Sequence, residues 1–183
     1  TVISLLTCCC GALTPPVLVT QVFAALVPHI CAVYTALGSD ADVAERVCRL
    51  FKSALQAADD TCMELARSAV HCARVAFSKH DVSCALECIG AAVPPLAQSQ
   101  AQPCNELVEA LETVCGTFAK LVSTAQQAHA ERAHDLDPDR TTAFFGMLKH
   151  VMVACPLLLC GGARLCMLRN NLHAAVVCLS IHQ

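Results

Sequence analysis

Four groups of side chains in this sequence have types and spacings that chemistry could use. His80, Cys84 and Cys88 recur at steps of four, which on one helix would align an imidazole and two thiols as zinc ligands. A tetrahedral site needs a fourth ligand, and a cysteine-rich helix makes such rows by chance. Cys8, Cys9 and Cys10 are consecutive and lack the spacing of a metal knuckle, and Cys155, Cys160 and Cys166 read as core or loop residues. Asp135, Asp137 and Asp139 alternate ahead of Arg140 as acids do in a calcium loop, but the required glycine and closing glutamate are missing. Asp137 before Pro138 reads instead as a helix cap. No phosphate loop, dinucleotide glycine motif, serine elbow or zinc-protease helix occurs. The residues point to no catalytic group, no metal and no cofactor, and so away from an enzyme.

The fourth group is ionic. Arg46, Arg49, Lys52 and Gln56 fall at about 0°, 300°, 240° and 280° around a helix turning 100° per residue, a sector about 120° wide. Most such rows are simply solvated. The functional reading is a docking strip for acidic or phosphorylated segments through charge-assisted hydrogen bonds.

The helix carrying this row is the clearest in the chain. Val43, Val47, Leu50, Phe51, Ala54, Leu55 and Ala58 follow one another at steps of three and four, with Ser39 or Asp40 placed to cap the start. Helical spacing recurs over about 1–13, 17–37, 40–58, 61–78, 81–97, 104–128, 138–153, 156–168 and 171–182, and no strand alternation is visible. Most breaks are short, so successive helices should pack antiparallel. The first two pairs recur at about 40 residues, the period of HEAT and armadillo units, and the later spacing is irregular because the loop around 129–137 is longer. The expectation is an all-α solenoid, one partial array with helix pairs near 17–58, 61–97, 104–153 and 156–182 and the end of a preceding repeat at 1–13. A chain that opens at Thr1 and stops at Gln183 within an apolar pattern reads as a piece of a longer one.

Composition agrees with helices that hide one another. The chain is 56% hydrophobic and 15% charged, where a soluble domain carries about 25% charged residues. Its formal net charge of −3, with no basic block, argues against nucleic acid as a partner. Fifteen cysteines sit largely in helix-like apolar runs and read as reduced, buried thiols. Thr1 to Ser39 contains no charged residue, and Val17 to Leu37 is long enough to cross about 30 Å of hydrocarbon. Gln21, Pro28, His29 and the many alanines favour a buried helix over a membrane span.

The run from Val43 to Leu55 (VAERVCRLFKSAL) resembles the karyopherin-β receptors of the transportin-SR and importin-13 type. Leu26-Val27-Pro28 with Val33-Tyr34 is similar to the family's outer helix, and His80 to Gly90 (HDVSCALECIG) to the next inner helix. Asp139 to Pro156, with Phe144-Phe145 and Leu148, also fits, and Asn170 to Leu179 fits more loosely, so the likeness runs over about 17–180. It implies a fragment of the C-terminal half of a HEAT-repeat receptor that moves between cytoplasm and nucleus. Such a receptor binds cargo proteins, passes the nucleoporins and is controlled by Ran in its GTP form through N-terminal repeats outside this chain. In the transportin-SR branch an inner-helix row of arginines grips Arg-Ser-rich cargo. Arg46, Arg49 and Lys52 fall where that row would lie, and Gln56 stands where another basic residue is expected. The alternatives are a general HEAT-repeat scaffold and a helical membrane protein.

Overall fold

The computed structural model describes residues 3, 6–8, 16–58, 62–98, 104–127 and 137–159. The helices are α1 (Pro16–Leu37), α2 (Ala41–Ala57), α3 (Met63–His80), α4 (Ser83–Gln98), α5 (Asn105–Gln127), α6 (Pro138–Ala154) and the single turn α7 (Pro156–Leu159). There is no strand among the described residues. The segments expected at 1–13, 156–168 and 171–182 lie largely or wholly outside them.

Local chemistry sets the boundaries. Asp40 caps α2, its carboxylate accepting from the Asp42 N–H at 2.8 Å and the Val43 N–H at 3.4 Å. Asp137 caps α6 in the same way, accepting from the Asp139 N–H at 3.0 Å with Pro138 in the first turn, so the acids near 137 serve a helix end. α3 ends at Asp81, a non-glycine residue in the left-handed region at φ 57°, whose N–H bonds the Phe77 carbonyl. Aspartate tolerates that conformation better than most residues. Its carboxylate pairs with Arg140 of α6, which anchors the turn from outside. Pro94 and Pro95 lie inside α4, which runs on to Gln98 although the two missing N–H groups leave earlier carbonyls without helical partners.

The helices form two layers. α1 packs on α3 and α3 on α5, while α2 packs on α4 and α4 on α6; the layers meet where α1 and α3 touch α2 and where α3 and α5 touch α4. The short turns after α1 and α3 make each such pair antiparallel. Successive first helices start at Pro16, Met63 and Asn105. Those intervals are closer to the ~40–47 residues of HEAT and armadillo units than to the 34 of TPR units. The chain is an all-α solenoid of stacked helix pairs.

The apolar stripes face inward. α2 buries Ala44, Val47, Cys48, Leu50, Phe51, Ala54 and Leu55 along one side. Each buried leucine or phenylalanine contributes about 1.5–3 kcal/mol relative to exposure. α4 is enclosed by α2, α3 and α6, and Glu87 is its one exposed residue among the described side chains. Between α5 and α6, Phe118 stacks on Phe144 with centroids 3.9 Å apart, and Phe145 meets both rings edge-on. Ion pairs mark the stacking within layers: Arg74 with Glu109 at 3.6 Å joins α3 to α5, and Lys52 with Glu87 at 2.6 Å joins α2 to α4.

α1 is long and apolar enough to cross a membrane by length and composition. Its Val19, Phe23, Ile30 and Tyr34 are buried, and the elements it packs on are α2 and α3. The other side of α1 leaves Val17, Leu18, Val33 and Leu37 exposed.

Candidate functional site

The zinc row considered from sequence does not survive folding. It requires His80, Cys84 and Cys88 on one helix, but the cap at Asp81 puts His80 on α3 and the cysteines on α4. His80 Nε2 sits 2.9 Å from the Gly38 carbonyl oxygen, an atom that can only accept, so the ring donates there. Cys84 instead donates to the Glu45 carbonyl at 3.6 Å and Cys88 to that of Ala69 at 3.9 Å. Among the described residues no cluster of His, Cys, Asp or Glu has the arrangement of a metal site.

The described cysteines are free, and most are buried. Burial and mutual contacts raise several of these thiols above their ordinary range. The contact with Cys84 and then burial push the Cys48 thiol well up, and burial first, then the neighbouring cysteines, pushes up Cys88. A thiol held in its protonated form is a packing group, not a nucleophile. Cys84 is moved the other way, chiefly by its hydrogen bond with Cys48.

The ionic row remains. Because the apolar stripe of α2 turns inward, Arg46, Arg49 and Gln56 are exposed and Lys52 is half-buried. All four lie away from the core, as their angular spacing requires. The structure adds what spacing could not. Arg49 is paired with Glu45 one turn earlier in its own helix. Lys52 is paired with Glu87 of α4, 2.6 Å from its ammonium. Beside the first half of the row is an open cleft of about 410 Å³ lined by Ile3, Thr7, Cys8, Asp42, Glu45, Arg46 and Arg49. The face is thus an interleaved field: Arg46, Arg49 and Lys52 supply three cations, and Asp42, Glu45 and Glu87 three carboxylates.

Of the acids missed from sequence, Glu45 was within reach, since a glutamate four residues before an arginine is a helix ion pair. Glu87 was not, because it is 35 residues from Lys52 and meets it only through the stacking of α4 on α2.

A two-layer stack of helix pairs with a charged outer face is a helical-repeat scaffold. Within that class the chain belongs to the Transportin-3/Importin-13 family, whose fourth TPR domain matches residues 16–122. The match takes in α1 to α4 and most of α5, so the apolar α1 falls within the family's repeat region. The family is one of transport receptors, not enzymes. No curated protein and no solved structure matches the chain.

Proposed function

We propose that this chain is a cargo-binding segment of a nuclear import receptor, with the solvent face of α2 as its docking strip. The cargo is a protein segment bearing anionic groups, and Arg-Ser-rich segments carrying phosphoserine suit it best. Arg46, Arg49 and Lys52 supply charge-assisted contacts, and Gln56 a neutral hydrogen-bonding one. The receptor would shuttle between cytoplasm and nucleus past the nucleoporins, releasing cargo under control of Ran in its GTP form through repeats outside this chain.

The observation that carries the reading is that the even-numbered layer turns a row of cations outward in a chain of this receptor family. A phosphate carries about −1.5 to −2 charges and three acceptor oxygens, so one group can engage two cations a helical turn apart. The test is reversal of Arg46, Arg49 and Lys52 to glutamate, read by titration with a phosphorylated Arg-Ser-rich protein. Three lost contacts of even ~0.5–1 kcal/mol each lower affinity by roughly tenfold or more. Unchanged affinity in a folded variant rejects the strip.

A further inference from the structure

The charged face of α2 does not behave as a bare cationic surface. Lys52 and Arg49 are both engaged, by Glu87 and Glu45 respectively. A ligand anion that binds either cation must share it with a carboxylate or push that carboxylate aside. Among the described side chains Glu87 is the one exposed residue of an otherwise enclosed helix, and α4 holds its backbone fixed beside the strip. Glu45 is likewise held, its backbone carbonyl accepting from Cys84 of α4. Neither acid can move far when its side chain is released. With Asp42 at the cleft, three carboxylates stand among three cations, so these described side chains sum to no net charge that would attract a polyanion.

We propose that this surface works by ion-pair exchange, and that Glu45 and Glu87 are reading elements for the cations of the bound segment. Its partner is a protein segment in which cationic and anionic side chains alternate. On docking, the ligand's anions take Arg49 and Lys52, and its arginines or lysines take the freed Glu45 and Glu87. Each pair is replaced by two, so no carboxylate is left uncompensated. A purely anionic segment gains the same cations but leaves both carboxylates facing its own charge, and like charges so close repel. The two acids therefore weaken polyanions and favour segments of mixed sign. This rests on α2 being the docking strip.

The experiment measures fluorescence anisotropy of the full chain with two labelled peptides of equal length at one salt concentration. One alternates arginine with phosphoserine, and the other alternates alanine with phosphoserine. The variant is Glu45→Gln with Glu87→Gln, isosteric changes at solvent-facing positions whose folding is checked by circular dichroism. Removing the acids is expected to weaken the mixed peptide and tighten the anionic one, each by about two- to fivefold per acid removed. The crossed response is the signature. If both peptides tighten, the acids are only competitors and exchange is wrong; if neither changes, they take no part. If neither peptide binds the wild-type chain, the docking strip itself fails, an outcome distinct from a failure of exchange.

Discussion

Replacing Phe144 with alanine attacks the contact that binds α6 to α5. The Phe144 side chain is fully buried. Its ring lies nearly parallel to that of Phe118, 4° between planes and 3.9 Å between centroids, and Phe145 meets it edge-on at 5.3 Å. Loss of burial alone costs about 1.5–3 kcal/mol, and the cavity left in a packed interface brings truncations of phenylalanine to about 3–5 kcal/mol. Aromatic pairing adds about 0.5–1.5 kcal/mol beyond area, least for overlapping parallel rings, so the stack with Phe118 belongs at the low end. We expect Phe144→Ala to cost about 3–4 kcal/mol, read as a lower urea midpoint followed by far-ultraviolet circular dichroism. Phe118→Ala and the double variant complete a cycle, with a coupling of about 0.5–1 kcal/mol expected between residues in contact. A loss under about 1 kcal/mol, which is what an exposed site gives, or strictly additive single changes, would refute the packing.

Two further perturbations probe other contacts between helices. Arg140→Gln strips the cation from Asp81, whose carboxyl is already pushed above the usual carboxylate range, first by burial, with Arg140 drawing it partly back. A carboxyl raised in the fold contributes most below its unfolded value of about 4 and loses that contribution as pH rises through the folded value. The variant should therefore lose about 1–3 kcal/mol near neutral pH, and less on acidification once Asp81 is protonated; denaturant titrations at neutral and acid pH check this. Gly90→Leu acts where α4 crosses α6, since a Cβ at Gly90 would already lie 3.3 Å from the His150 ring and 3.4 Å from the Met147 Cα. The larger side chain must part the two helices, and a destabilisation of about 1–3 kcal/mol in the same urea assay is expected.

The helices and the reason they pack were legible in the sequence, because apolar spacing is local. The stripe of α2 and the caps at Asp40 and Asp137 are examples, each read from residues a few positions apart. The proline pair in α4 did not mislead, since the apolar pattern runs through it to Leu96. The turn between α3 and α4 was placed two residues early. α3 keeps His80 because Asp81 takes the left-handed cap, a conformation stabilised by Arg140 from a helix almost sixty positions on. The site was half legible. Periodicity assigned Arg46, Arg49, Lys52 and Gln56 to one outward face, but charge balance depends on which helix lies alongside. Nothing near Lys52 in sequence announces Glu87, and nothing near Phe118 announces Phe144. Those pairings come from the order of stacking, which one chain's periodicity does not encode.

In the proposed docking mode the even-numbered layer presents the docking face and the odd-numbered layer does not. The direct measurement is the affinity of the chain for a phosphorylated Arg-Ser-rich protein in two sets of charge reversals. One set converts Arg46, Arg49 and Lys52 on α2 to glutamate; the other converts the exposed Lys79 of α3 and Lys120 of α5. A loss of roughly tenfold or more in the first set with little change in the second is the predicted result. Equal losses in both sets, or a loss confined to Lys79 and Lys120, would contradict it.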